Sequence, residues 1–410
     1  MTGPVREPQR TPPLIAEHDT WISLDPVVGC PADCGYCYLG TMGLRATKPM
    51  RRATPRRLAH ELHSYLNGRR AELIHPLDDP TPLCFGNYTD MAMTPDNASM
   101  IVAALTELAE LIPPRPTVLI TKATVTENLV AELDALEWPI VWFFSQSFAR
   151  DQGITLERGR IADFETTLRN AHLVSSSRWQ SAVHFWRPFV PELSHPLPDY
   201  QAVVRRLQDV GVDASVVAGM RRGPGVPVDD PRVLASLPSC AEAPSEQREV
   251  FDRAGWEELR AAARTVGYPV YRHSSCALAL VRSAREHLGT WRTEVFADRC
   301  LPCSCPKPQR SRCGPARTGE KDLTEDADDF CARLAAFLGL SREAISFDAG
   351  TGCVEIFAEV SDLEYNTILH AARGRYVPVL KSVGFERAWR SAWSLKARQL
   401  FEDKPVGGPE

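Results

Sequence analysis

Several classes of protein are excluded by what this sequence has little of. No apolar run in its 410 residues approaches the roughly 18–20 needed to span a bilayer, so no membrane segment is expected. The first residues, Met1-Thr-Gly-Pro-Val-Arg-Glu-Pro, lack the apolar core of a signal peptide, and a cytoplasmic location is expected. Basic residues are not in excess: 47 Lys and Arg stand against 52 Asp and Glu, for a net charge of -5. That argues against a nucleic acid as main partner, because no basic, aromatic-interleaved stretch offers a groove for a phosphate backbone. No internal repeat or low-complexity segment stands out. With 44% hydrophobic and 24% charged residues, the chain can bury a full core and bears no mark of global disorder. Its length exceeds the usual single domain, so a large unit and a smaller one are expected.

Cysteine, by contrast, is plentiful. Twelve thiols without an export signal suggest metal or redox use rather than disulfides. The first group is Cys30-Pro-Ala-Asp-Cys34-Gly-Tyr36-Cys37, spaced C-x3-C-x2-C, directly after the apolar run Trp21–Val28. Three thiolates on one tight loop can hold three irons of a [4Fe-4S] cluster and leave the fourth iron open to a small molecule. Two plainer readings compete: a structural zinc site, or cysteines buried as small apolar residues. Zinc prefers four protein ligands in pairs, and this loop offers three. The spacing, with an aromatic residue before the third cysteine, resembles the signature of the radical S-adenosylmethionine (SAM) superfamily. The resemblance implies that the open iron chelates the amino and carboxylate groups of SAM. One electron then cleaves SAM to methionine and a 5′-deoxyadenosyl radical, which abstracts hydrogen from a substrate.

Beyond the loop, short apolar runs alternate with helical patterns. Strands are expected at Thr81–Gly86, Thr117–Thr121, Pro139–Phe144, Ser181–Phe189 and Asp213–Ala218. Amphipathic helices fall between them, with Leu58 and Leu62, Ile101 and Leu105, Leu129 and Leu133 at helical spacing. Such alternation implies a parallel sheet covered by helices. Six strands, counting the one before the cysteine loop, fit an α/β fold of the incomplete (β/α)6 barrel kind. A doubly wound sheet is the competing topology. In a parallel barrel, chemistry sits on loops at the C-terminal strand ends. Polar clusters follow the strands in turn: Gly86-Asn87-Tyr88-Thr89-Asp90, Thr121-Lys122, Ser145-Gln146-Ser147, and His184 with Arg187 and Glu192. Ordinary loop polarity or helix capping, as by Thr126 or Asp96, would explain each alone.

The order Cys-Gly-Tyr-Cys-Tyr-Leu, Asn-Tyr-Thr-Asp, Leu-Ile-Thr-Lys, Phe-Ser-Gln-Ser and Arg-Pro-Phe-Val-Pro-Glu is similar to the spore photoproduct lyase-like branch of that superfamily, over about residues 21–220. This implies an incomplete radical SAM barrel. It further implies that Lys122 and Ser145 hold the SAM carboxylate, with the Asn87, Tyr88, Thr89 segment near the SAM amino group. Tyr36, Ser147, Arg187 and Glu192 complete the expected cofactor pocket. The substrate does not follow from the resemblance. The lyase's DNA lesion is not expected in an acidic chain, and a small molecule, natural products included, is.

The second cysteine group is Cys300-x2-Cys303-x-Cys305-x7-Cys313. Four thiols within fourteen residues can wrap one further metal centre, an iron–sulfur cluster ahead of a tetrahedral zinc. The spacing departs from the seven-cysteine extension of peptide-modifying relatives, which disfavours a peptide substrate. Cys276 lies outside both groups, at the end of the extended run Tyr268–Cys276. It is expected at the barrel mouth as a hydrogen-atom donor to a substrate radical; a buried structural thiol or an extra ligand to the second metal are the alternatives. The chain thus divides into a loose arm (1–19), a partial barrel (20–290), the second cysteine segment (291–318) and a small C-terminal α/β domain (319–410). Segment 220–250 reads as a lid or an insertion. The expected function is a radical SAM enzyme acting on a small molecule, fed by an electron donor such as flavodoxin or ferredoxin. A non-catalytic iron–sulfur redox carrier and a nucleic-acid lesion lyase are the rivals.

Overall fold

The computed structural model describes residues 12–194, 199–222, 230–243, 247, 249–288, 304–313, 320–350 and 352–381. Its main sheet has eight strands: β1 (Ile15–Glu17), β2 (Ile22–Leu24), β3 (Leu83–Phe85), β4 (Thr117–Thr121), β5 (Ile140–Gln146), β6 (Gln180–Trp186), β7 (Val212–Val217) and β8 (Val270–Tyr271). They lie side by side in chain order. Strand β1 runs antiparallel to β2, and the other pairings are all parallel. A doubly wound sheet reverses its strand order at a switch point. This one does not reverse, so the doubly wound alternative falls.

Helices α1 (Pro55–Asn67), α2 (Pro95–Ala109), α3 (Glu127–Asp134), α4 (Phe164–Ser175), α5 (Tyr200–Asp209) and α6 (Arg253–Val266) fill the crossovers. Each begins at an N-cap whose side-chain oxygen accepts a backbone N–H: Thr54, Thr94, Thr126, Asp163, Asp199 and Asp252. Such a cap is worth about 1 kcal/mol. Thr126 is therefore a cap, whereas Asp96 sits in the first turn of α2, behind the true cap Thr94.

Strand alternation sorts the core into two faces. In β5, Ile140, Trp142 and Phe144 pack outward with the helices, while Val141 and Phe143 pack inward. The inner face is covered by α7 (Ser274–Val281) through Ala277 and Leu278. Burying each large side chain is worth about 1.5–3 kcal/mol, so this two-faced packing fixes which strand-end residues point inward.

A second, three-stranded sheet lies in the C-terminal part. Strand β9 (Ile345–Asp348) is antiparallel to β10 (Cys353–Ile356), which is parallel to β11 (Val377–Leu380) across helix α9 (Asp362–Ala372). Helix α8 (Glu320–Leu338) precedes it. The core of this unit takes in Leu73, Ile74 and Leu288 from the main body.

Three differences from expectation follow from short pairings that periodicity does not register. The end of the supposed loose arm, Ile15–Glu17, is strand β1. The run before Cys276 supplies a seventh parallel strand, β8. In segment 220–250, Met220–Arg221 pair with Glu249–Val250 and Pro231–Ser236 form a helix. Cys300 and Cys303 lie outside the described residues. Among the described residues no helix is long and apolar enough to cross a membrane.

Candidate active site

The inward parity continues past the strand ends. Lys122 follows Val118 and Ile120 on β4, Ser145 follows Val141 and Phe143 on β5, and Arg187 follows Val183 and Phe185 beyond β6. Ser145 and Phe185 are register partners. All three polar residues line one cavity, and Cys30, Cys34, Tyr36, Cys37, Asn87 and Thr89 line it as well. The sheet thus delivers the three strand-end polar groups to the place where the cysteine loop ends.

The cysteine loop is pinned on several sides. Asp33–Cys34 pair antiparallel with Glu157–Arg158, and the Gly35 N–H donates to the Leu156 carbonyl at 2.7 Å. The Cys30 N–H donates to the Leu44 carbonyl at 2.8 Å. Arg232 grips the Asp33 carboxylate at 2.8 and 3.0 Å and Asp230 at 2.8 Å. Arg45 reaches Asp230 at 2.8 Å and the Gly35 carbonyl at 2.8 Å. Bidentate guanidinium–carboxylate pairs of this kind fix orientation as well as distance.

Burial pushes all three thiols up, Cys30 to about 12 and Cys34 and Cys37 also upward. Lys122 opposes the shift at Cys34, and Arg187, Lys122 and Arg45 oppose it at Cys37. Thiolates here depend on positive charge, from these cations and from any metal they bind. The donors suit a soft iron–sulfur cluster in kind and in place: three thiols on one loop, facing one cavity, with cations beside two of them. As the side chains stand, no group of three or more Cys, His, Asp or Glu among the described residues is gathered tightly enough to hold a metal ion.

A buried carboxylate absent from the sequence expectations organises the floor. Glu157 is paired with Lys122 Nζ at 2.9 Å and accepts the Tyr36 hydroxyl. Burial pushes its carboxyl up, but Lys122, Tyr36 and Ser147 outweigh that and hold it below the ordinary value. Lys122 also donates to the Ser145 carbonyl at 3.2 Å and lies over the Tyr36 ring at 5.6 Å. Nothing in the aperiodic stretch after β5 singles Glu157 out; only folding brings it under the cysteine loop.

The loop after β3 is likewise held from below. Gly86 has φ +86°, and a Cβ there would meet Met91 at 2.6 Å, so the turn requires glycine. Asp25, fully buried, accepts the Asn87 N–H at 2.7 Å and the Ser23 hydroxyl. Burial raises its carboxyl to about 6. The Asn87 amide meets His18 Nε2 at 2.9 Å. Asp90 accepts from Thr121 Oγ1 at 2.8 Å and the Lys122 N–H at 2.7 Å. The Thr89 hydroxyl donates to the Gly29 carbonyl at 2.7 Å. Thr89 and Asp90 therefore tie the loop to its neighbours.

Five expected site residues lie elsewhere or act otherwise. Glu192 accepts the Ser239 N–H and hydroxyl, both at 2.6 Å, and does not line the cavity. His184 has the outward parity of Trp186 and contacts Phe148 and Trp186; its Nδ1 meets Ser215 Oγ at 3.0 Å. Ser147 is buried beside Glu157 rather than facing the cavity. Tyr88 packs near the cysteine loop but outside the lining. Cys276, in the first turn of α7 just past β8, packs against the inner-face core, as Cys305 does, and does not line the cavity. Tyr271 Oη donates to Cys305 Sγ at 3.5 Å, and Gln309 donates to Cys313 Sγ at 3.3 Å.

The sequence matches no protein-family model and no curated protein. The chain is similar to solved structures of spore photoproduct lyase. One, a double mutant with bound AdoMet and dinucleoside spore photoproduct, is 16% identical, with a TM-score of 0.44 over 60% of this chain and 72% of that one. Another, complexed with dinucleoside spore photoproduct, is 17% identical, with a TM-score of 0.43 over 58% of this chain and 71% of that one.

Proposed function

We propose that this chain is a radical SAM enzyme on an incomplete (β/α)6-type barrel, with Cys30, Cys34 and Cys37 as ligands of a [4Fe-4S] cluster. The observation that supports it best is that these thiols share one cavity with Lys122, Ser145, Asn87 and Arg187. When bound, the cluster supplies reductive cleavage of SAM and so the means to abstract hydrogen. The chain's residues bind and orient. Lys122 and Ser145 take the SAM carboxylate, Asn87 faces the amino group, and Tyr36, fixed through Glu157, walls the nucleoside. A flavodoxin- or ferredoxin-like protein delivers the electron in the cytoplasm.

The reading extends to a second metal centre on Cys300, Cys303, Cys305 and Cys313, iron–sulfur ahead of zinc. Cys276, which like Cys305 packs against the inner-face core, is assigned to that group as an extra ligand. The substrate is read as a small molecule. A dinucleoside lesion, the ligand of the similar lyase structures, is the alternative, and salt-dependent duplex binding would favour it.

Anaerobic reconstitution with iron, sulfide and zinc counting, followed by a SAM-cleavage assay, tests the reading. The protein should form 5′-deoxyadenosine under reduction and carry two metal centres. The triple Ala variant of Cys30, Cys34 and Cys37 should lose all 5′-deoxyadenosine formation. Undiminished cleavage in that variant, or none in the cluster-replete wild type, refutes the enzyme. Absence of any metal beyond four irons refutes the second centre.

A further inference from the structure

The cavity extends beyond the part assigned to the cofactor. Its wall follows the sheet order, from the cysteine loop through Asn87, Lys122 and Ser145 to Phe185, Arg187, Pro188, Gly219, Met220 and Arg221 at the ends of β6 and β7. The last stretch is apolar apart from its two arginines.

The cations along this wall differ in what already neutralises them. Lys122 is paired with Glu157 at 2.9 Å. Arg272, beside the far end, is paired with Glu249 at 2.8 Å, and the other oxygen of Glu249 accepts the Gly219 N–H at 2.6 Å. Arg187 has no acidic partner among the described residues; its guanidinium lies 5.7 Å from the centroid of the Phe185 ring. An aromatic face leaves the in-plane N–H donors of a guanidinium free. Arginine is the side chain best matched to carboxylate and phosphate, because two of its N–H groups can be engaged at once. Removing that charge from water without an anion is unfavourable, so the half-buried Arg187 is a place where an anion gains.

We propose that the β6–β7 end of the cavity is the substrate subsite and that Arg187 binds an oxyanion there. The substrate is thus a carboxylic or phosphoric acid whose apolar body packs on Phe185, Pro188 and Met220. This deepens the radical SAM reading, on which the division of the cavity between cofactor and substrate rests, but the anion preference itself does not depend on a cluster.

The test is calorimetric titration of the anaerobically reconstituted protein, with and without S-adenosylhomocysteine, using phenyl phosphate, benzoate and uncharged benzyl alcohol as probes. At least one anion should bind tenfold or more tightly than benzyl alcohol while S-adenosylhomocysteine is bound; which anion wins tells phosphate from carboxylate. Arg187→Gln should reduce that anion to the level of the alcohol, and Arg187→Lys should restore part of the difference. With each variant reconstituted to the wild-type iron content, because Arg187 also lends charge to the Cys37 thiol, S-adenosylhomocysteine affinity should stay unchanged in both. Equal binding of anions and alcohol overturns the proposal. Loss of S-adenosylhomocysteine affinity in Arg187→Gln, with anions competing against it, also overturns it, by giving Arg187 to the cofactor. Failure of the wild type to bind S-adenosylhomocysteine refutes the cofactor reading alone, because the anion preference is still read in its absence.

Discussion

At the scale of single residues, parity decides which polar groups serve the cavity. His184 and Arg187 lie three positions apart, one facing the helices and the other the cavity. A run of polar residues at a strand end does not announce that split; the alternation of Val183, Phe185 and Arg187 does. Lys122, Ser145 and Arg187 were therefore legible in the sequence, whereas Glu157 and Asp25 were not, because their roles arise from contacts between distant segments. Lys122→Ala should weaken S-adenosylhomocysteine binding by tenfold or more, since a charge-assisted hydrogen bond contributes about 1.5–3 kcal/mol. The same substitution strands buried Glu157, so Lys122→Met with Glu157→Gln is the control. Calorimetry should show weak binding in both, and recovery of affinity in the double variant would rule out a direct role for Lys122. His184 gives a pH signature of its own. Burial lowers its pKa to about 3, against about 6.5 when unfolded. The unfolded chain therefore binds the extra proton first, and stability is lost as pH falls from about 6.5 toward 3. Urea unfolding of His184→Gln should show a shallower loss between pH 7 and 4 than the wild type.

At the scale of elements, the cysteine loop is held less by its own sequence than by what crosses it. Its motif was legible because three thiols at that spacing have few structural explanations. The clamp of Arg45, Asp230 and Arg232 was not, because Asp230 and Arg232 come from a stretch that reads only as Pro-rich and irregular. There Asp230 caps the helix Pro231–Ser236 and accepts from Arg232, holding the guanidinium against the Asp33 carboxylate. Its bonds to Arg232 outweigh burial and hold the Asp230 carboxyl at about 2. Arg232→Ala removes both carboxylate contacts at once. The loss should be about 1.5 kcal/mol, the low end for charged hydrogen bonds because Asp33 is partly solvated. The sharper readout is local: the variant should release iron to a chelator faster than wild type while its unfolding midpoint moves little. Equal release rates would show that the strand pairing of Asp33–Cys34 suffices without the clamp.

At the scale of the whole molecule, strand β1 is where the main sheet meets helix α9 of the C-terminal unit. Glu17, fully buried, pairs with Arg70 after α1 and with His370 of α9 at 2.7 Å. Tyr65 donates to its carboxylate at 2.8 Å, and Asn366 to its backbone carbonyl at 3.1 Å. Arg70 continues to Asp79 at 3.1 Å, and Asp79 to Arg115 at 3.2 Å. Burial pushes the Glu17 carboxyl up, yet Arg70 and His370 hold it below its ordinary value. A segment that composition marks as a loose arm thus carries the carboxylate joining the large sheet to the C-terminal unit. Nothing in a Pro-rich, charged N-terminus separates an arm from a strand of three residues, so this junction was invisible until folded. Replacing one member of a buried ion network leaves its partners uncompensated, at a cost of about 3–5 kcal/mol. Glu17→Ala should lose that much, whereas Glu17→Gln, which keeps the hydrogen bonds, should lose less. Because the network joins the main sheet to helix α9 of the C-terminal unit, the wild type should unfold in one transition followed equally by main-sheet and C-terminal probes. In Glu17→Ala the C-terminal unit should melt first, and a single coincident transition at the wild-type midpoint would refute the coupling.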